Sequence, residues 1–207
     1  MKKLLPLLSV LFLIYWGCEY KKNEYHINQV EFIGNFVTEK FTEDKLITGT
    51  VIQVYDNLKI PVGKVINGRV QGSWTEWYSN GNKKFECYYD DKSKRDGTWT
   101  YWFENGKVGM EENYKDGKKD GVWKKYYQSG NINEISTFSN DLKNGVVDLW
   151  RDDGSKRGTD NYSKGKKNGL STRWYGDGEK MNEYVYNDGK KISSKCWDYR
   201  GHEVLCD

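Results

Sequence analysis

Proline and histidine are nearly missing from this chain: two of each in 207 residues. The two histidines, His26 and His202, lie at opposite ends and have neither metal-ligand spacing nor a nucleophile motif beside them. There is no GxSxG, no CxxC and no glycine-rich phosphate loop, so no catalytic residue, metal or cofactor is expected. The stretch DGKKDG at 116–121 has the Asp and Gly of a calcium loop. It lacks an oxygen donor at the third position and a bidentate Glu at the twelfth, and turn chemistry accounts for it. A dominant charge is also absent. With 33 basic and 30 acidic residues, the net charge of +3 argues against bulk attraction to nucleic acid. Hydrophobic residues are only 36% of the chain, and few of them are aliphatic. What the chain does have is 22 Gly, nine Trp and sixteen Tyr. A core must therefore be built from rings, each of which buries a large area, and so many aromatics exclude a disordered chain.

The opening MKKLLPLLSVLFLIYWGC has two lysines, an apolar run from Leu4 to Trp16, then Gly17 and Cys18. This predicts a signal peptide over 1–17, since the apolar run is short for a membrane span. A small residue directly before the Cys resembles a bacterial lipoprotein signal, which implies that Cys18 becomes the acylated N-terminus. Tyr15 departs from the Leu usual there, and a plain signal peptide or an uncleaved anchor is the alternative. Without residues 1–17 the chain is almost neutral. Export implies an oxidising compartment. Cys196 and Cys206 flank a turn at Arg200-Gly201, so a disulfide across the last hairpin is expected, with two reduced thiols as the alternative. Cys87, alone in a strand pattern, reads as a small buried hydrophobe.

The glycines set a period. Gly72, Gly97, Gly121, Gly145 and Gly169 are spaced by 25, 24, 24 and 24 residues. Nine residues after each stands Gly81, Gly106, Gly130, Gly154 or Gly178, and eight further on an aromatic: Tyr89, Tyr114, Phe138, Tyr162 or Tyr186. A weaker copy begins at Gly49, and Trp197 and Gly201 are in phase with a terminal one. Each period reads as two short strands joined at Asn-Gly, Ser-Gly or Asp-Gly, a tight-hairpin signal in which both turn positions can need positive φ. The expected fold is all-β: an elongated antiparallel meander of about six stacked 24-residue hairpin repeats. The array should cover 45–201, preceded by a tether and N-terminal cap over 18–44 and closed by a C-terminal cap over 196–207. A single meander has no second layer, so each repeat must bury its face against its neighbours.

Counted from the first glycine, position five is aromatic in every repeat: Trp77, Trp102, Tyr126, Trp150 and Trp174. Positions two and six share the other face of a regular strand. They hold Trp74 and Tyr78, Trp99 and Phe103, and Trp123 and Tyr127, then thin out to Val147 and Arg151, and Ser171 and Tyr175. The persistent row reads as structural. The varying row (Trp74, Tyr78, Trp99, Phe103, Trp123, Tyr127) is the candidate binding face, although packing into the core is the more ordinary role for large rings. The second turns carry a recurring basic pair, including Lys118 and Lys119, and Lys166 and Lys167. These form a candidate basic edge toward anionic lipid or acidic polymer; protection of the sheet edge is the plainer reading.

The pattern Gly-x-Trp-x-x-Tyr/Trp-Tyr-x-Asn-Gly, then an aromatic, then Asp-Gly-Lys-x-x-Gly, resembles MORN-type repeats. It is most similar to the MORN-variant family of YwqK-like antitoxins, many of them exported lipoproteins. The resemblance covers 45–201, and Val147 and Ser171 depart from it where Trp is expected. It implies a non-catalytic hairpin ribbon that binds macromolecules or membrane surfaces. The expected protein is thus an exported, lipid-anchored module of the bacterial cell envelope, periplasmic or surface-facing, that binds a protein partner. A cell-wall glycan or choline-type ligand module and an antitoxin-like neutralising partner are the alternatives. A neutralising role toward a cytoplasmic toxin fits poorly with an export signal.

Overall fold

The computed structural model describes residues 23–33, 36–40, 45–55 and 58–206. The signal peptide, Cys18 and residues 19–22, 34–35 and 41–44 of the 18–44 segment lie outside the described residues. The described chain is almost entirely strand, with one 3-10 turn at Ile27–Gln29. Eighteen strands join in one sheet, and Val30–Ile33 pairs with Phe36–Glu39 in a second.

The hairpins follow the predicted phase. Outgoing strands Arg69–Trp77, Arg95–Trp102, Gly121–Tyr126, Gly145–Trp150 and Gly169–Trp174 each pair antiparallel with the next strand. Their return strands are Lys83–Tyr89, Val108–Lys115, Ile132–Ser139, Lys156–Ser163 and Lys180–Asn187. Each return strand then pairs with the outgoing strand, or the last strand, of the following unit. Across these repeats the strands form a meander in which each hairpin pairs with the hairpins next to it in sequence.

The turns correct one sequence expectation. At Asn80-Gly81 only the glycine has positive φ (+84°), and its N–H donates to the Tyr78 carbonyl (3.0 Å). The first turns are therefore four-residue turns closed by a left-handed glycine. The residue before that glycine serves through its side chain: Asn80 Oδ1 accepts the Asn82 N–H at 3.0 Å, as Asn105 does for Lys107. The two-residue turns with paired positive φ are the second ones, at Asp116-Gly117 (52° and 84°) and Lys164-Gly165 (48° and 81°).

A second departure is a bulge repeated in register. Pairing shifts just before position five in every hairpin: Trp77 faces Lys83, Trp102 faces Val108, Tyr126 faces Ile132, Trp150 faces Lys156 and Trp174 faces Lys180. One return-strand residue per hairpin is thereby left without a partner across the strand: Lys84, Gly109, Asn133, Arg157 and Met181.

The N-terminal end is built differently. Val37, Ile47, Val51 and Val65 are fully buried, with Val30, Val62 and Val70 nearly so. Glu24–His26 adds a parallel strand to the edge at Gly49–Tyr55, and the small second sheet is tied on by the Val37 N–H to Gly68 carbonyl bond (2.7 Å). An aliphatic core therefore supports the first repeats, and the expectation that the meander has no second layer fails at this end.

The far end is closed by the Cys196–Cys206 disulfide, with Cα atoms 5.3 Å apart. It holds Glu203–Val204 against Cys196 and Trp197, while the flanking Lys190–Lys195 is exposed. Closing a loop of this size stabilises by about 2–3 kcal/mol, mostly through the unfolded chain. Cys206→Ser should therefore release the last strand, seen as lost amide-exchange protection over 190–204 with the central repeats unchanged.

Candidate binding site

The rings of position two are core. Trp74, Trp99 and Trp123 are between 2% and 6% exposed, so these three members of the predicted binding face cannot meet a partner. Trp99 and Trp123 alternate with return-strand aromatics in one chain of contacts. Tyr89 to Trp99 is 5.1 Å, Trp99 to Tyr114 5.2 Å, Tyr114 to Trp123 5.5 Å and Trp123 to Phe138 4.7 Å between ring centroids. Tilted and edge-on geometry at these distances suits aromatic quadrupoles.

Position two stays buried even where the ring is lost. Val147 (3%) and Ser171 (2%) occupy it in the later repeats. The space beside Ser171 is filled by Asp160, itself 4% exposed. Asp160 accepts from Arg173 Nη2 at 2.7 Å, Lys167 Nζ at 3.0 Å and the Ser171 hydroxyl. Burial pushes the Asp160 carboxyl up. The hydrogen bonds from Arg173, Ser171 and Lys167 outweigh it and hold the group below its ordinary value.

The basic edge is divided by the same geometry. Lys118 and Lys166 point to solvent, and Lys166 meets Asp188 at 2.8 Å. Lys119 and Lys167 do not belong to that edge. Lys119 Nζ lies 4.3 Å from the Trp123 ring centroid and Lys167 Nζ 5.2 Å from that of Tyr186, with Arg95 placed likewise 4.5 Å over Trp99. Each caps a ring of its own repeat. The backbone fixes them there, because the carbonyls of Arg95, Lys119, Lys143 and Lys167 each accept an N–H from the next two-residue turn. No continuous basic ladder results.

Position six forms its own ladder. The hydroxyls of Tyr55, Tyr78, Tyr127 and Tyr175 donate to the position-five carbonyl of the next repeat, at Trp77 (2.6 Å), Trp102 (2.8 Å), Trp150 (2.9 Å) and Trp197 (2.9 Å). Arg151 does the same to Trp174. Tyr78 and Tyr127 thus serve as half-buried inter-repeat struts, their hydroxyls committed to the next repeat. Phe103 has no hydroxyl and cannot make this bond. Its ring instead lies over Gly109, where a Cβ would sit only 3.2 Å from the ring. Gly109 occupies the bulge position held elsewhere by Lys84, Asn133, Arg157 and Met181.

These two departures sit together in one groove of about 580 Å³. Its lining includes Tyr78, Phe85, Tyr101, Trp102, Phe103, Gly109, Met110 and Tyr126, with Glu76, Lys84, Lys125 and Asn133 as the polar members. Phe85 and Tyr101 stack 4.6 Å apart. Tyr126 donates to Glu111 at 2.8 Å. Burial, then that hydrogen bond to the carboxylate, pushes its phenol up to about 12. Burial first, and then nearby Glu112, raises the Tyr101 phenol as well. Neither phenol ionises near neutral pH. Cys87 is buried, which drives its thiol up to about 12 and makes it a packing group. The arrangement offers ring faces and apolar contact.

Of the six residues predicted for a binding face, the groove takes Tyr78 and Phe103. Sequence reasoning missed Phe85, Tyr101, Gly109 and Met110. The available signal was Phe103 where its neighbouring repeats carry Tyr78 and Tyr127; the role of Gly109 shows only once the bulge position is known. Among the described residues no cluster of His, Cys, Asp or Glu could hold a metal, and no helix is long and apolar enough to cross a membrane.

Three consecutive stretches, residues 70–91, 95–116 and 119–140, match the family model of the MORN repeat variant. These are the repeats with Trp at position two. The hairpins at 145–163 and 169–187 lie outside the matched stretches and keep the same turns and bulge. No curated protein matches the chain. The three matched repeats are of a kind that suggests a repeat-based binding or scaffold module.

Proposed function

We propose that this chain is a non-catalytic binding module, exported and lipid-anchored through Cys18 to the bacterial cell envelope, that holds a protein partner in the groove around Phe103. It is a lipoprotein-type relative of the YwqK-like proteins, facing the periplasm or the exterior. The observation that carries the reading is the groove itself. It is an apolar site of ordinary binding-pocket size, lined where Phe103 stands in place of a strut tyrosine and lies over Gly109. The charged leader followed by Gly17-Cys18 supports the anchor. A choline-type ligand is disfavoured, because two lysines line the groove and would repel a quaternary ammonium.

Two measurements test this. Metabolic labelling with palmitate should mark the wild-type chain in the membrane fraction, and Cys18→Ser should lose both the label and the fractionation. Labelling of a soluble cytoplasmic form would overturn the localisation. A photo-cross-linking residue at Met110 should capture an envelope protein. The same residue at Leu142, exposed in a distant turn, should not. Capture of a cytoplasmic toxin instead would favour the antitoxin-like reading.

A further inference from the structure

The groove's charged members say what kind of segment fits it. Two ammonium groups, Lys84 and Lys125, face one carboxylate, Glu76, among the lining residues. That carboxylate is already engaged, since Glu76 Oε1 accepts from Trp74 Nε1 at 3.1 Å. Lys84 approaches the other oxygen at 3.6 Å with half its side chain exposed. Lys125 stands 3.8 Å from Glu134, which is 15% exposed and bonded more closely to Lys143 at 2.9 Å. Both carboxylates have a closer partner than the groove lysine, and both lysine side chains are about half exposed beside an apolar floor.

Resting on the reading of this groove as the partner's contact, we infer that the partner inserts an apolar side chain flanked by carboxylates. The anchor, Leu or Phe in size, lies against Phe85, Tyr101, Phe103 and Met110. The flanking Asp or Glu residues meet Lys84 and Lys125. An apolar anchor in a desolvated pocket supplies most of the affinity in such contacts, while rim charges set partner choice and encounter rate.

The test uses the full chain and short fluorescein-labelled peptides read by anisotropy. One carries Leu-Phe flanked by Glu, a second Leu-Phe flanked by Lys, and a third Ser-Ser flanked by Glu. The Glu-flanked Leu-Phe peptide should bind saturably, at least about tenfold tighter than either of the others, and should weaken with added salt. Gly109→Asn, which installs the residue type of the next repeat's bulge, should weaken it by about tenfold or more with far-UV circular dichroism unchanged. If that variant fails to fold, Phe103→Ser takes its place. The double variant Lys84→Glu/Lys125→Glu should transfer preference to the Lys-flanked peptide. Equal binding of the Glu- and Lys-flanked peptides, both lost in Gly109→Asn, would overturn the charge assignment and leave the groove standing. Binding that ignores Gly109→Asn and Phe103→Ser, or none by any peptide, would overturn the groove reading together with it.

Discussion

Trp99→Ala is expected to destabilise the repeat array by about 3–5 kcal/mol, measured by urea unfolding followed in the near-UV. Trp99 is 3% exposed and touches Phe85, Tyr89 and Tyr114, with Arg95 capping its face at 4.5 Å. Its indole N–H donates to the Tyr88 carbonyl at 3.2 Å. Truncation opens a cavity that flanking strands cannot close, because the backbone ladder on both sides fixes their spacing. Each repeat contacts only its neighbours, so the loss also uncouples the two halves. Two unfolding transitions should replace one, the N-terminal part surviving on its aliphatic core of Ile47, Val51 and Val65. Trp99→Phe, which keeps a ring in the chain of contacts, should lose less than about 2 kcal/mol and stay in one transition. A Trp99→Ala variant with wild-type stability would show that the rings are not the core.

Asp160→Ala should cost about 2–3 kcal/mol. Removing one member of a buried charge network leaves the others unpaired, and the partial exposure of Lys167 and Arg173 lowers the usual figure. The same group makes stability pH-dependent with a definite sign. Its folded carboxyl titrates below its ordinary value of 3.8, because the bonds from Arg173, Ser171 and Lys167 outweigh its burial. The stabilisation is therefore fully present above that value and is lost as pH falls through the lower folded one. Partial burial pushes Glu134 up as well, and its bonds from Lys143 outweigh this and hold it below its ordinary value, so it adds loss in the same direction. Melting temperature should fall as pH drops below about 4, and Asp160→Asn should flatten part of that slope. A slope identical in Asp160→Asn and wild type would remove Asp160 from the account.

The regular features of this fold were legible because they recur. A left-handed glycine every 24 residues and an aromatic held eight residues beyond its partner glycine are local requirements of turns and ring packing, and both are written in residue type. The Cys196–Cys206 pairing followed from a short hairpin spacing. The direction of the rings was harder to read. Strict alternation gives two faces but does not say which is inside, and both carry rings. The assembled sheet decides it, burying Trp74, Trp99 and Trp123 and leaving Trp77 and Trp102 half-exposed, with the pairing register shifting just before position five. Nothing local marks the bulge, since the extra residue differs in every repeat.

By itself the sequence determined the period, the hairpins, the all-β class and the reliance on rings, since each depends on residues close together in the chain. Tertiary structure alone decided that position two is core and that Lys119 and Lys167 serve rings. It also decided that Tyr78 and Tyr127 brace the next repeat, and that Phe103 and Gly109 open a groove. Those outcomes depend on which neighbour lies across the strand and one repeat away. That relation is fixed by pairing register, and register is a property of the assembled sheet.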